Sequence, residues 1–218
     1  MNLALNPMRN AAVEPPIRAK SGKGFTLVEL MVTLSVLMIL MSVGVPSFIA
    51  AMKNSRLSGD YSELFGALIL ARSEAVKQSS FVSVCARASD NACGNDWSNG
   101  WIVFADRQND PGDTAGVIDA GDQILRIVAS IGDRELANIA TLNPNPASAA
   151  ASSQQNFVQY NPRGSNNWSA GTFTLCDDRG ASEARAVNLV LTGDIRKARK
   201  QEGASAPNNV YNQTVTCP

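Results

Sequence analysis

The sequence predicts an α+β protein in which one long N-terminal helix packs on an antiparallel β-sheet. Two observations predict this class. An uncharged apolar run over residues 30–52 is followed by apolar residues at helical spacing as far as residue 75. Beyond residue 80, short β-branched and aromatic runs alternate with turn-rich stretches. Since no helix-length segments separate these runs, an antiparallel sheet is favoured.

The helix is predicted to run from near residue 25 to near residue 78. Residues 30–52 contain no charged side chain. As a helix they measure about 34 Å at ~1.5 Å per residue, which matches the ~30 Å hydrocarbon core of a bilayer. The second half carries an apolar stripe that indicates packing against a globular domain. The stripe consists of Leu57, Tyr61, Leu64, Phe65, Leu68, Ala71 and Ala75.

The part of the chain after residue 80 is predicted to form a sheet with connecting loops. The predicted strands are residues 81–85, 101–105, 123–128, 156–160, 171–176 and 187–191. Residues 143–155, rich in Asn, Pro, Ala and Ser, are predicted to form a flexible loop.

The charges are balanced overall, with 19 basic and 19 acidic side chains, but they are unevenly distributed. Four basic residues and one acidic residue lie in residues 1–24, so the rest of the chain carries a net charge of −3. A broadly basic surface for nucleic acid is therefore not expected. The chain has no histidine, which excludes histidine-based catalysis and histidine metal ligands. We expect no enzyme activity, cofactor or metal site, with a membrane-tethered enzyme as the remote alternative.

The four cysteines, Cys85, Cys93, Cys176 and Cys217, all follow the apolar run. They allow three pairings, and no Cys-x-x-Cys spacing is present to favour a zinc or thioredoxin-like site. If this part of the chain is exported, disulfides are the expected state. We favour Cys85–Cys93 together with Cys176–Cys217, and the alternative is free, buried thiols.

Glu29 places a carboxylate beside the apolar run, where burial without a partner is costly. Either this residue lies at the membrane interface, or it pairs with a positive charge that is supplied during assembly. It belongs to the segment KGFTLVEL at residues 23–30. This segment resembles the class III signal of type IV pilins and type II secretion pseudopilins.

The resemblance implies a defined processing event. A prepilin peptidase would cut between Gly24 and Phe25 and methylate the new amine of Phe25. Glu29 would become the fifth mature residue, which in the family pairs with the N-terminal amine of a neighbouring subunit. Pro46 would stand at mature position 22, where family members commonly carry a proline, and it invites a helix kink. The alternative is a conventional secretory signal cut near residues 49–51.

The rest of the chain resembles the GspH/FimT family of minor pilins and pseudopilins. The resemblance lies in residues 71–76, 100–106, 119–126 and 171–176. It implies a pilin-like fold and a structural role in filament assembly or protein secretion. The implied partners are prepilin peptidase and other pilins or pseudopilins in a helical filament. The sequence does not distinguish a type IV pilus from a type II secretion system.

These features together predict three parts of the chain. Residues 1–24 form a cleaved leader, residues 25–52 a transmembrane and assembly helix, and residues 53–218 a periplasmic globular domain. The basic leader favours a cytoplasmic N-terminus and an exported C-terminus. We therefore expect a single-pass protein of the inner membrane that is incorporated into a pilus or pseudopilus.

A loop rich in aspartate and glycine follows the second predicted strand. We interpret it as a solvated hairpin loop in which Asp and Gly supply the turns. Calcium binding is the alternative, although the spacing does not fit an EF-hand. The aspartates are Asp106, Asp110, Asp113, Asp119 and Asp122.

A basic segment near the C-terminus contains Arg196, Lys197, Arg199 and Lys200. Some DNA-uptake minor pilins of the family carry a Gly-Arg-x-Arg motif near this strand end. Here Asp194 occupies the position of the first arginine, and Arg196 fits the second. A solvated charged turn is the favoured interpretation. The alternative is a DNA-binding minor pilin for natural transformation, since Lys and Arg bind phosphates without regard to sequence.

Overall fold

The computed structural model describes residues 24–107, 113–129, 157–166, 171–210 and 212–217. The chain divides into two compact units, residues 1–47 and residues 48–218. The helix α1 (Leu27–Gln78) has residues in both units. Its bounds lie within two residues of those expected from the sequence. The predicted loop at 143–155 lies outside the described residues.

In the first unit the described residues are the start of α1 and the three residues before it. Every side chain from residue 24 to residue 47 is exposed. This segment is apolar on all sides of the helix, so it has no polar face to turn towards water.

The second unit contains an antiparallel five-stranded sheet in which β1 is central. Strand β1 pairs with β3 on one side and with both β5 and β2 on the other, and β4 extends the sheet beyond β3. These strands are β1 (Val82–Ser89), β2 (Ala92–Cys93), β3 (Trp101–Ala105), β4 (Gln123–Val128) and β5 (Phe157–Tyr160).

A second, three-stranded antiparallel sheet has the order β6-β7-β8. Its strands are β6 (Gly171–Leu175), β7 (Arg185–Leu189) and β8 (Ile195–Lys197). The predicted class, a long helix with antiparallel strands, is confirmed. The described strands form two sheets, where the sequence suggested one.

The apolar stripe of α1 forms the centre of the main core. Leu57, Leu64, Leu68, Ala71 and Ala75 are buried as predicted, Tyr61 and Phe65 are partly buried, and Ala67 is also buried. The stripe clusters with alternate residues of β1, β3 and β5 and with residues of β6 and β7. The same helix therefore supplies core residues to both sheets.

Two smaller clusters lie apart from the main core, and each contains a disulfide. Cys85 joins Ile102 and Phe104 in one cluster, with Cys93 packed against it. Cys176 belongs to the other, an alanine-rich cluster with Val215 and, packed against it, Cys217. Because Cys85 alternates along β1 with the core residues Val82, Val84 and Ala86, it lies on the opposite face of that strand.

The last two strands differ from the prediction in their bounds. A strand was expected at residues 187–191, but β7 ends at Leu189 and a turn follows. Val190 N donates to Asp194 O and Gly193 N donates to Val190 O. These bonds close a hairpin, with Gly193 at φ 79°, a conformation that favours glycine. The residues after the turn return as β8, a strand that the sequence analysis treated as a charged turn.

Candidate functional site

The start of α1 is capped by the residues of the KGFTLVEL segment. The backbone N–H of Glu29 donates to Thr26 Oγ1 at 3.2 Å, and Leu30 N donates to Thr26 O at 3.2 Å. Thr26 is therefore the N-cap, and Glu29 is the third helical residue, as in the Thr-x-x-Glu capping pattern. The sequence analysis did not use Thr26, although this spacing was visible in the sequence.

Glu29 lies in the first turn, where a negative charge is favourable beside the helix N-terminus. Phe25 precedes the helix and is 86% exposed. Gly24 is exposed, and a Cβ there would meet no other atom within 4 Å. In the described ranges no side chain is bonded to the Glu29 carboxylate. The cleavage and assembly residues thus lie together on an accessible segment, and their roles remain a prediction.

The few polar side chains in the apolar part of α1 form hydrogen bonds to the backbone of the same helix. The hydroxyls of Thr33, Ser35 and Ser42 donate to backbone carbonyls three or four residues earlier, at 2.7–2.9 Å. By length and composition α1 is able to cross a membrane. Pro46 lies inside this helix and has no N–H to donate. This segment therefore suits an apolar environment better than water.

The four cysteines form two disulfides in the structure, Cys85–Cys93 and Cys176–Cys217. Their Cα atoms are 5.6 and 6.0 Å apart, within the usual range. The first links β1 to β2. The second ties the end of the chain to the residue that follows β6.

The acidic loop uses its carboxylates to hold its own backbone. Asp122 accepts from the N–H groups of Arg107 and Asp119, each at 2.9 Å. Asp119 accepts from Thr114 N at 2.8 Å. Asp110 lies outside the described residues. In the described ranges no group of three ligating side chains is close enough to hold a metal ion.

Asp106 differs from the other loop aspartates because it is buried, with 2% exposure. Its Oδ2 accepts from Ser83 Oγ at 2.6 Å, Gln159 Nε2 at 2.7 Å and Gly116 N at 2.8 Å. Burial raises the pKa of Asp106, although these hydrogen bonds oppose the shift. The residue therefore joins β1, β5 and the loop. The sequence analysis missed this role because all five aspartates look alike in sequence.

The basic segment lies partly on β8 and is less free than the sequence suggested. Arg196 Nε donates to Asp194 Oδ2 at 2.9 Å, and this bond together with nearby positive charge lowers the pKa of Asp194. Arg72 of α1 also lies 3.6 Å from Asp194. Lys197 Nζ lies 6.0 Å from the ring centroid of Tyr61. Arg199 and Lys200 are exposed.

A second set of charged residues anchors α1 to the turn between β6 and β7. Arg179 donates to both oxygens of Asp177 and to Asn54 Oδ1. Burial alone would raise the pKa of Asp177, but the hydrogen bonds and charge of Arg179 lower it. Lys53 pairs with Asp178. Sequence patterns gave no signal for these contacts, because the partners are 125 residues apart.

Two family profiles match the chain. One, described as "Type II transport protein GspH", matches residues 61–194. The other, described as "Prokaryotic N-terminal methylation motif", matches residues 20–45. A search of curated proteins finds no match.

Two crystal forms of the type IV minor pilin FimU from Pseudomonas aeruginosa are similar in structure. One is 21% identical and covers 70% of this chain and 97% of FimU, with a TM-score of 0.47. The other is 20% identical and covers 66% of this chain and 95% of FimU, with a TM-score of 0.42. None of these matches supports the alternative of DNA binding.

Proposed function

We propose, from the premise that the chain belongs to the GspH family of minor pilins and pseudopilins, that it is a structural subunit of a type IV pilus or a type II secretion pseudopilus. Members of this family are structural subunits, so the chain is not an enzyme. The N-terminal methylation motif implies a prepilin peptidase and other pilins as its partners.

The observation that carries the proposal is the arrangement of Phe25 and Glu29 directly before the uncharged apolar run of residues 30–52. A carboxylate that becomes buried among apolar helices is costly without a partner, and the described residues offer Glu29 none. Cleavage after Gly24 creates a free amine on Phe25. The amine of a neighbouring subunit then supplies the positive charge that Glu29 needs, which sets the register of one subunit on the next.

The proposed topology follows from the same segment. Residues 1–24 are removed as a leader, residues 25–52 anchor the protein in the inner membrane, and residues 53–218 form the periplasmic domain. The leader is basic and the apolar run follows it, the charge distribution typical of a cytoplasmic N-terminus. Because the cut removes only the leader, the mature chain keeps its anchor.

Assembly would bury the apolar surface that the isolated chain exposes. Leu34, Leu37 and Phe48 are 46%, 45% and 66% exposed. In a membrane these side chains contact lipid, and in a filament they contact the helices of neighbouring subunits. Pro46 removes one backbone hydrogen bond within this segment, and we propose that the helix bends or opens there during assembly.

The test compares the same substitution at two glutamates of α1. Glu29→Gln removes the charge while keeping the shape. We expect the filament-bound fraction to fall about tenfold or more, as loss of one buried charge pair predicts, with membrane levels unchanged. Glu74→Gln is the matched control, since Glu74 pairs with Lys77 on the same helix. Normal assembly of Glu29→Gln would reject the charge-pair proposal.

Mass spectrometry of the filament isolated with the wild-type chain identifies its neighbours. Type IV pilus subunits in that sample would assign the chain to a pilus, and secretion pseudopilins would assign it to a secretion system. Recovery of the chain without any other pilin-like subunit would contradict the proposed function itself.

A further inference from the structure

A groove of about 720 Å³, lined by polar and charged residues, lies in the second unit beside β8. We call it the C-terminal groove. Its volume falls within the ~300–1,000 Å³ typical of sites for small ligands. It is lined by Asn188, Arg196, Lys197, Arg199, Gln201, Asn208, Asn209 and Asn212.

The lining of the C-terminal groove is positively charged. Of the eight lining residues in the described ranges, three are cationic and none is acidic, although the chain beyond residue 24 has a net charge of −3. Arg196 forms an ion pair with Asp194, which is not one of the lining residues. Over the described ranges, no carboxylate pairs with Arg199. The groove therefore favours an anionic ligand, and Arg199 is the cation best placed to bind it.

The other five lining residues are carboxamides, and hydrogen bonds join four of them to one another. Asn188 Nδ2 donates to Asn208 O at 3.1 Å, and Gln201 Nε2 donates to Asn212 Oδ1 at 2.7 Å. Asn208 Nδ2 donates to the same Asn212 oxygen at 3.1 Å. These bonds preorganise the wall, which lowers the entropic cost of binding.

The C-terminal segment is also fixed at its ends. Asn208 N donates to Arg199 O at 3.1 Å, so the two walls of the groove are joined by the backbone. Val210 N donates to Thr172 Oγ1 at 2.9 Å, and Cys217 is joined to Cys176. A covalently tethered wall is suited to a persistent binding surface.

We propose that the C-terminal groove binds an acidic oligosaccharide, in which hydroxyl groups alternate with carboxylates. An arginine guanidinium binds a carboxylate through two parallel hydrogen bonds. A carboxamide both donates and accepts, as a sugar hydroxyl does. The combination of three cations with five carboxamides fits both groups of such a ligand.

A nucleic acid fits this groove less well. A phosphate oxygen only accepts hydrogen bonds, so the carbonyl oxygens of the five amides would gain nothing from it. This difference favours the saccharide.

The experiment uses the full chain in detergent and measures affinity by calorimetry. The probes are an oligogalacturonate, a neutral malto-oligosaccharide of the same length, and a thymidine oligonucleotide of matched charge. We expect the uronate to bind about tenfold or more tightly than either other probe. Arg199→Glu should weaken uronate binding at least about tenfold, the loss expected for a charge-assisted hydrogen bond. Gln201→Ala should weaken it by about threefold.

The matched control is Lys77→Glu, which makes the same change of net charge at an exposed residue outside the groove. It should leave uronate binding unchanged. If Arg199→Glu does not fold, Arg199→Gln provides the same comparison. No uronate binding, equal binding of the neutral sugar, tighter binding of the oligonucleotide, or equal loss in Lys77→Glu would each overturn the proposal.

Discussion

Two regions of α1 are both rich in apolar residues, yet they present them differently. Between residues 27 and 47 the apolar side chains surround the helix and all are exposed, as Leu37 is at 45%. Between residues 57 and 75 they form one stripe, and Leu64 and Leu68 are fully buried. One apolar stripe can be buried by packing against a single protein core, whereas a helix that is apolar on all sides needs an apolar environment around it. The distribution of apolar residues, more than their number, separates anchor from core.

The charges divide the same two regions. From Leu30 to Met52 there are none. In the second region and just before it, charged residues beside the stripe bind partners on the strands and turns. Lys53 pairs with Asp178, Glu63 with Arg126 and Arg72 with Asp194. These pairs are partly exposed, so they add little stability. They restrict the register in which α1 meets the two sheets.

The comparison implies that the free energy of unfolding of the second unit does not depend on the anchor. The largest change in this free energy is expected when its disulfides are removed. Replacing Cys176 and Cys217 with alanine opens a loop of 41 residues, which the loop-entropy relation values at about 4 kcal/mol. Replacing Cys85 and Cys93 opens one of 8 residues, worth about 2.5 kcal/mol. Denaturant unfolding followed by tryptophan fluorescence measures both, because all three tryptophans lie beyond residue 48.

The order of these two effects is the informative result. If removing the shorter link cost more, native packing of Cys85 in its apolar cluster would outweigh the entropy of the unfolded chain. A control with reductant and the wild-type chain should reproduce both losses together.

The next test makes the same substitution, leucine to alanine, once in each of the two regions. Leu68→Ala should lower the free energy of unfolding by about 3 kcal/mol, since it removes a fully buried side chain from the main core. Leu37→Ala should leave the same fluorescence transition within about 0.5 kcal/mol of wild type, as expected for a distant exposed site. A comparable loss in Leu37→Ala would show that the two regions unfold as one.

Much of this difference could be predicted from sequence because helical periodicity is a local signal. The stripe from Leu57 to Ala75 and the uncharged run before it indicated the helix and its two environments. The second sheet was less predictable. Its strand β8 has three residues, two of them charged, and pairs only through the turn closed by Gly193. Such a short polar strand forms because it pairs with β7, and its own three residues carry no signal for that pairing.

The smallest expected effect concerns Asp106, whose raised pKa comes from burial and from the nearby charge of Asp122. A carboxyl with a raised pKa stabilises the fold fully below its unfolded value near 3.8, and this stabilisation is lost as pH rises through the folded pKa. Asp106→Asn keeps an acceptor oxygen but does not titrate. The variant should therefore gain stability relative to wild type as the pH rises above about 4, by roughly 1.4 kcal/mol for each tenfold increase in proton affinity that folding gives this carboxyl.

Unfolding curves of the two proteins at these pH values measure the effect, with Asp119→Asn as the control for an aspartate in the same loop. A difference that stayed constant with pH would show that the hydrogen bonds to Asp106 offset its burial completely.

The candidate site was predictable to a different extent in each part. Gly24, Phe25 and Glu29 form a continuous motif, so their association needed no structure. The two disulfides of the structure join the pairs that were favoured from sequence. The separate roles of Asp106 and of Arg179 depended on contacts across 53 and 125 residues. The C-terminal groove likewise combines one carboxamide of β7, Asn188, with residues of the last segment.

The most direct test of the proposed function is the mass of the mature N-terminal peptide from the native membrane. The account predicts a peptide that begins at Phe25, with one methyl group on its amine and Glu29 unmodified. A chain that begins near residue 51, as a conventional secretory signal would produce, or one that keeps residues 1–24 in the assembled filament, would contradict it.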